Sequence, residues 1–363
     1  MLVNYSSVLE NLKKIKTLLI INCINNGFNK KIKLKYICNC FTSQITEQSV
    51  FKYPSGPYCI YGASGIIKTI NFFKIFRKAI AVVKDGAGIG HVYFMTGKTS
   101  TLSTLVSLVP CHNIDPRWLY YVMQSISFES QDAVTIPHIY FSVYGDVKVP
   151  DIPLSDQQKI ARYLDEKIKY LDEKIKYTLS LKESLEKLKL CLIKKTIDID
   201  PTKSCIKTKI KYISNFIQAT KFPYNKTIYP NNNSEHNIAI VTAGKTFIYG
   251  YGEKQTYPSF NKPAILFDDF TSECKFIDIP FYFPSSAGKI IINNNKSDIK
   301  WLYYVIQSLS GMIDIKDHGR HWIDIYQNKS IPFISLPEQQ EKVKYLNKKI
   351  LKINSWIKML GGK

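Results

Sequence analysis

The chain repeats itself, and this repeat limits the folds open to it more than any other feature. Arg117-Trp-Leu-Tyr-Tyr-Val-Met-Gln-Ser125 returns as Lys300-Trp-Leu-Tyr-Tyr-Val-Ile-Gln-Ser308, at an offset of 183 residues. Asp156-Gln-Gln-Lys-Ile-Ala-Arg-Tyr-Leu-Asp-Glu-Lys-Ile168 returns as Glu338-Gln-Gln-Glu-Lys-Val-Lys-Tyr-Leu-Asn-Lys-Lys-Ile350, at 182. Leu34-Lys-Tyr-Ile-Cys-Asn39 pairs with Ile210-Lys-Tyr-Ile-Ser-Asn215, and Leu9-Glu-Asn-Leu-Lys13 with Leu185-Glu-Lys-Leu-Lys189, both at 176. Runs of this length, in one order and at nearly one offset, describe a unit of roughly 180 residues present twice. The 363 residues are therefore expected to hold more than one core.

Residues 156–198 read as one long helix. Leu164, Ile168, Leu171 and Ile175 are spaced 4, 3 and 4 apart, and after a phase slip Leu181, Leu185, Leu188 and Leu192 repeat the spacing. An apolar stripe at that period among Lys and Glu predicts an amphipathic, coiled-coil-like helix. Pro153 lies just outside its start, and Ser155 or Asp156 is a candidate cap. Residues 338–363 match its first half, with Leu346, Ile350, Ile353 and Ile357 standing for the first four stripe positions. Residues 4–28 match its second half. A complete second helix thus requires the two terminal segments to meet end to end, as in a circularly permuted tandem repeat, and places the termini close together. The composite helix is expected to lie antiparallel to 156–198.

Between the helices, 31–155 and 206–337 are rich in Ile, Val, Phe and Tyr and punctuated by Gly, Pro and Asn. Ala79–Val83, His91–Phe94 and Pro263–Phe267 read as strands. Asp115–Ser127 and Asp298–Leu309 each read as a helix capped by its aspartate. The expected fold is α+β: two mixed α/β lobes, each a mixed sheet with one or two helices, separated by a long antiparallel helix pair with pseudo-twofold symmetry. In numbers, 1–30 is the first half of the split helix, 31–155 a lobe, 156–200 the central helix, 201–337 a lobe and 338–363 the other half.

Catalytic motifs fail on spacing. Gly97-Lys-Thr99 and Gly244-Lys-Thr246 resemble the end of a phosphate loop, but Val92 and Ala239 stand where it needs another glycine. Asp85-Gly-Ala-Gly-Ile-Gly90 follows a strand, yet its glycine spacing is wrong for a dinucleotide and a strand follows it; a tight turn at positive φ is expected. Asp165-Glu-Lys167 and Asp172-Glu-Lys174 superficially resemble a nuclease triad, but on a heptad they read as a solvated helix face. His318 and His321 are three apart with no evident third metal ligand. The eight cysteines include no zinc spacing and read as buried reduced thiols. No apolar run reaches membrane-spanning length, and the apolar N-terminal stretch lacks a signal-peptide cleavage site, so no membrane and a cytoplasmic location are expected.

The net charge of +21 favours a polyanionic partner, but only four of the 50 basic residues are arginine, as an AT-rich genome also dictates. What remains is a binding architecture. A helix of about 40 residues spans about 60 Å, enough to hold unlike lobes at two unlike half-sites more than one DNA turn of about 34–36 Å apart.

The residues also carry a resemblance. Pro150-Asp-Ile-Pro-Leu-Ser-Asp-Gln-Gln-Lys-Ile-Ala-Arg-Tyr-Leu-Asp165, and its echo Ile331-Pro-Phe-Ile-Ser-Leu-Pro-Glu-Gln-Gln340, resemble the opening of the spacer helices of type I restriction–modification specificity subunits. Tyr58–Ile67 and Val83–Gly90 resemble glycine motifs of that family's target recognition domains, and Thr135-Ile-Pro-His138 the segment before the spacer. The second lobe departs, with Phe267-Asp-Asp-Phe-Thr271 and Ser285-Ser-Ala-Gly288 where the first has its glycine turn.

This resemblance implies a non-catalytic subunit that binds double-stranded DNA. It implies methyltransferase subunits docked on the spacer helices through Leu164, Ile168, Leu171, Ile175, Leu346, Ile350 and Ile353, with restriction subunits bound through them. No cofactor is expected on this chain; S-adenosylmethionine, ATP and Mg²⁺ would belong to the partners. Lysines would supply phosphate affinity and loop side chains would read base edges. Arg77 and Arg320 are the first DNA-binding candidates, with Lys84, His138, His321 and Trp322 behind them. The competing expectations are a coiled-coil scaffold whose basicity is codon bias and, more distantly, a stand-alone nuclease.

Overall fold

Strand β5 (Ala79–Val83) is buried along its whole length, so both of its faces must be covered. The computed structural model, which describes residues 8–86, 88–128, 138–197, 206–235, 237–242, 247–253, 259–309 and 320–361, shows how. Ile80 and Val82 face a helical layer, in a core with Leu108, Trp118, Leu119 and Val122. Ala79, Ala81 and Val83 face the other way, in a core with Ile60, Ile70 and Met95. The strand's period of two assigns alternate residues to the two cores.

The contacts divide the chain into two compact units, one up to Leu179 and one from Ser180 onward. The first unit opens with α1 (Val8–Asn25), β1 (Lys31–Lys33), β2 (Cys38–Thr42), α2 (Glu47–Val50), β3 (Tyr58–Gly62), β4 (Gly65–Ile70) and β5. It continues with β6 (Val92–Met95), β7 (Ser100–Thr101), β8 (Leu105–Pro110), α3 (Pro116–Ser125), α4 (Phe141–Tyr144) and β9 (Lys148–Pro150). The start of α5 (Leu154–Ile197) closes it. Its strands form a four-stranded sheet β2-β8-β5-β6, a three-stranded sheet β4-β3-β7 and a ribbon β1-β9.

The second unit takes the remainder of α5, then β10 (Lys207–Lys209), β11 (Ser214–Gln218), β12 (Ile238–Val241), β13 (Ile248–Gly252) and β14 (Ala264–Asp268). β15 (Cys274–Ile277), β16 (Phe281–Tyr282), β17 (Gly288–Asn293), α6 (Ile299–Leu309), α7 (His321–Asp324), β18 (Ser330–Pro332) and α8 (Leu336–Leu360) follow. Its sheets are β11-β17-β14-β15, β13-β12-β16 and β10-β18, the first unit's order strand for strand. Even the parallel pair recurs, β3 with β7 and β12 with β16. Each lobe therefore has two sheets and a ribbon where one mixed sheet was expected. The second sheet covers the face of β5 or β14 that the helices leave bare.

The buried glutamine of the Gln-Gln motif explains why that motif is duplicated. Gln157 Oε1 accepts from Asp115 N at 2.8 Å, while its Nε2 donates to Ile152 O at 3.0 Å and Asn113 O at 3.4 Å. Gln339 makes the same three bonds, from Asp298 N at 2.8 Å and to Ile334 O at 3.0 Å and Lys296 O at 3.4 Å. Each glutamine ties the start of α5 or α8 to the cap of its lobe's helix. Those caps are as expected: Asp115 Oδ1 accepts from Arg117 N and Trp118 N, and Asp298 Oδ1 from Lys300 N and Trp301 N.

In the first unit α1 runs antiparallel to the opening of α5. Lys16 meets Asp172 at 2.6 Å, and Ile20 and Ile24 share a core with Ala161, Leu164 and Ile168. In the second unit α8 runs antiparallel to the remainder, with Lys342 Nζ on Thr196 O at 2.9 Å and Lys182 Nζ on Gly361 O at 3.2 Å. Ser335 caps α8, and Gly361 ends it at φ 108°, in the left-handed region that favours glycine. α5 itself begins at Leu154, so Ser155 and Asp156 lie inside its first turn and neither is the cap; Pro153 O receives Asp156 N and Gln157 N.

Candidate nucleic-acid interface

Basic groups gather at both ends of β5, exposed at its start and half-buried at its other end. At its start, backbone bonds between Ile75 and Thr99 and from Lys98 N to Phe76 O draw two loops together. They gather Lys74, Phe76, Arg77, Lys78 and Lys98, all exposed. Lys74 lies over the Phe72 ring at 5.8 Å and Lys98 over Phe73 at 6.0 Å. Of this cluster sequence reasoning singled out Arg77 alone; the interleaving of aromatic and basic residues in Phe72-Phe-Lys-Ile-Phe-Arg-Lys78 is the signal that finds the rest. The turn at Gly97 and Lys98 takes positive φ at both residues, so it is the tip of a strand connection and no phosphate loop. Gly244–Thr246 falls outside the described residues except as sequence.

At the other end of β5, about 17 Å along a five-residue strand, Lys84 and His138 converge on Asp85. His138 Nδ1 lies 2.6 Å from Asp85 Oδ1, Lys84 Nζ lies 3.3 Å from Asp85 Oδ2, and Tyr140 stacks on the imidazole with ring centroids 6.2 Å apart. The structure thus brings Lys84 and His138 together and sets Arg77 apart from them. The expected glycine turn begins here, with Gly86 and Gly90 at φ 89° and 78°. A Cβ on Gly90 would also strike Phe128 at 2.8 Å.

Backbone bonds identify the matching positions in the second lobe. Lys84 N bonds Thr104 O, and Asp269 N bonds Ala287 O. Ile139 N bonds Lys84 O, and His321 N bonds Asp269 O. Leu34 N bonds Val147 O, and Ile210 N bonds Lys329 O. Asp269 therefore occupies the place of Lys84, Phe270 that of Asp85, and Arg320 that of His138. Arg320 and Phe270 are both exposed.

Two of the expected DNA contacts are corrected. His321 is only 3% exposed and its Nδ1 lies 3.0 Å from Ser272 Oγ. Trp322 is 1% exposed, packs edge-on against Phe267 with centroids 5.2 Å apart, and takes Asp269 Oδ1 at its backbone N–H. Both belong to the lobe's core, out of reach of a base edge. His318 lies outside the described residues, and among the described residues no cluster of three or more His, Cys, Asp or Glu is placed to hold a metal. The buried pair of this region was not foreseen: Lys289 Nζ lies 2.8 Å from Asp269 Oδ2 and 2.9 Å from Gln218 Oε1. Nothing in a β-strand pattern of Gly-Lys-Ile-Ile-Ile marks that lysine as internal.

The helix stripe is also corrected. Leu164, Ile168, Leu171, Leu346, Ile350 and Ile353 are buried within the chain and Ile175 is half-buried, so they cannot form a docking surface for another subunit. Burying a leucine such as Leu164 fully is worth ~1.5–3 kcal/mol. α5 also carries exposed apolar groups: Tyr163, Tyr170 and Tyr177, one per heptad, and Leu154, Leu179, Leu181 and Leu188, so the expected stripe positions Leu181 and Leu188 are not buried. Lys167 covers the Tyr163 ring at 5.6 Å and Lys174 covers Tyr170 at 5.3 Å. The acidic residues expected to be merely solvated have partners: Asp165 receives the Arg117 guanidinium and Tyr121 Oη, the latter at 2.6 Å. Burial first, and then this bond, hold the Tyr121 phenol above its ordinary range, so it remains a donor.

The thiols divide as well. Cys38 is buried and Cys191 exposed, with Cys23, Cys40, Cys59, Cys111 and Cys274 between. Cys205 falls outside the described residues. Burial pushes Cys38 up to about 12 and Cys274 up to about 12, so both thiols hold their protons at neutral pH.

Among the described residues no helix is long and apolar enough to cross a membrane. Residues 27–185 match the family model described as type I restriction modification DNA specificity domain. The chain is 35% identical over 145 residues to the EcoR124I/EcoR124II type I restriction enzyme specificity subunit of Escherichia coli. That alignment covers 39% of this chain and 35% of the relative, so it spans about a third of the curated relative's length. A solved chain from work titled as the structural basis of complex assembly and conformational transition of the type I R-M system is 11% identical, with TM-score 0.62 and 93% of each chain covered. The type I S subunit of M. genitalium is 18% identical, with TM-score 0.43 and 93% of each chain covered. Residues 27–185 of this chain are thus similar to the type I restriction modification DNA specificity domain.

Proposed function

We infer that the chain is the non-catalytic DNA-recognition subunit of a type I restriction–modification complex, each lobe reading one half of a bipartite, asymmetric site. The observation that carries this reading is the duplication with divergence: one strand order in both lobes, and different side chains at equivalent positions beyond the central strand. A homodimer presents the same residues twice and reads a palindrome; two unlike lobes on one chain read two unlike half-sites. Residues 31–155 and 201–337 serve as the target recognition domains and 156–200 as a spacer helix. The halves 1–30 and 338–363 serve together as the second spacer, a reading supported by the antiparallel pairing of α1 and α8 with α5 inside each unit.

Exposed lysines and Arg77 supply phosphate affinity, and the lobes' loops supply base readout. Two methyltransferase subunits dock on the outward helix faces that carry Tyr163, Tyr170 and Tyr177, and restriction subunits join through them. S-adenosylmethionine, ATP and Mg²⁺ act on those partners, and the assembly works in the cytoplasm.

The test is methylome sequencing of cells carrying this gene and its methyltransferase partner, with and without the gene. A bipartite motif with two different halves that vanishes with the gene is expected; an unchanged methylome overturns the reading. Purified chain on a cognate duplex should also lose affinity with salt, with a log–log slope of about −0.9 per phosphate contacted.

A further inference from the structure

We propose that His138 and Arg320, equivalent positions of the two lobes, are the specificity-determining side chains of their respective half-sites, and that Asp85 is a positioning residue for His138. The inference rests on the DNA-recognition reading above and names where that recognition differs between lobes.

Three observations carry it. First, the backbone frame is the same on both sides. The residue following each candidate donates its N–H to the residue just after the central strand, Ile139 to Lys84 and His321 to Asp269. The residue holding that carbonyl in turn donates to Thr104 O or Ala287 O. A side chain projecting from such a frame starts from a fixed station, which base readout requires.

Second, the chemistry at the station diverges while its frame does not. In the first lobe an imidazole sits beside a carboxylate at 2.6 Å and a stacked tyrosine ring. In the second an exposed guanidinium sits where Phe270 has replaced the carboxylate. The acidic charge nearby, Asp269, has turned inward to the buried Lys289. The sequence has four arginines in all, and Arg320 holds this place in the lobe.

Third, the two groups suit different bases. An arginine fork donates two parallel bonds to guanine O6 and N7. His138 presents Asp85 with Nδ1, which leaves Nε2 as the nitrogen for a single bond to a base edge. The half-site of the second lobe is thus expected to contain a guanine held by Arg320, and that of the first a base read through one bond.

The experiment uses the full chain assembled with its methyltransferase subunits and a duplex library randomised over both half-sites, with the selected or methylated sequences read by sequencing. Arg320→His is expected to lower preference for the original base about ten- to hundredfold at one position of one half-site, leaving the other half-site intact. Arg320→Lys loses the same guanine preference, because a point charge does not replace the fork. His138→Arg changes one position in the opposite half-site. Asp85→Asn disturbs that same position and Asp85→Glu restores it, an effect that loss of packing alone would not confine to one base pair.

Variants that assemble and select the wild-type motif in both halves overturn the proposal. So does an assembled variant that selects nothing, since one base contact carries only about a hundredfold. If the wild-type complex itself selects no bipartite motif, the DNA-recognition reading fails and the station with it.

Discussion

The two lobes share one backbone plan, strand for strand, yet they solve two packing problems with opposite chemistry. Where the first lobe has Val106 opposite Val82, the second has Lys289 opposite Phe267. Where the first has Lys84 near the surface, the second has Asp269 inside, paired with that lysine. The helix lock shows the reverse exchange. In the first lobe Arg117 and Tyr121 bind the Asp165 carboxylate, whereas in the second Tyr304 Oη donates to the neutral Asn347 at 2.7 Å and Lys300 lies over Phe276 at 4.9 Å. Duplication kept the backbone bonds and the glutamine ties, and divergence acted on charge.

The largest way to break this comparison is the buried pair. Lys289→Met leaves Asp269 charged and unpaired in the core, and should lower the stability of the second lobe by ~3–5 kcal/mol in denaturant titration. Lys289→Met with Asp269→Leu should lose less, because the uncompensated charge is gone, although Trp322 N then lacks its acceptor. Equal losses from single and double variants would show that the pair is not ionic.

Next come the glutamine ties. Gln157→Leu and Gln339→Leu each strand a backbone N–H at a helix cap, and should each cost about 2–3 kcal/mol. Their equality is the sharper prediction: a loss in one unit alone would break the equivalence of the two lobes. Asp165→Asn, which gives the first lobe the neutral lock of the second, should cost about 1 kcal/mol.

The smallest effect is at Cys38, whose Sγ reaches Leu34 O at 3.5 Å, while at the equivalent position Ser214 Oγ donates to Ile210 O at 2.8 Å. Cys38→Ser should change stability by less than about 1 kcal/mol, since the second lobe already uses that bond. In thiol-labelling kinetics at neutral pH, exposed Cys191 should react long before Cys38.

Much of this fold was legible in the chain because local physics specified it. The 3.5-residue stripe defined α5 to within two residues at its start, the aspartate caps placed α3 and α6, and the run Ala79–Val83 is the strand expected. The second sheet was not legible, because a period of two marks a strand without naming its neighbour. Trp322 and His321 looked like readers since residue type says nothing of burial, and Trp322 was placed inside by its contacts with Phe267 and Tyr326. The stripe was assigned to partners because an apolar face declares only that it is covered, not by which chain. The match of His138 with Arg320 was hidden because Thr135-Ile-Pro-His138 and its counterpart share no residues that align; only the backbone bonds relate them.

The claim that two copies of one plan read two unlike half-sites is tested most directly by replacing 206–335 with a second copy of 30–153 and sequencing the methylome of cells carrying the hybrid with its methyltransferase. A motif whose two halves have become the same, each the half-site of the first lobe, is the expected result. A motif that keeps its two different halves would contradict it.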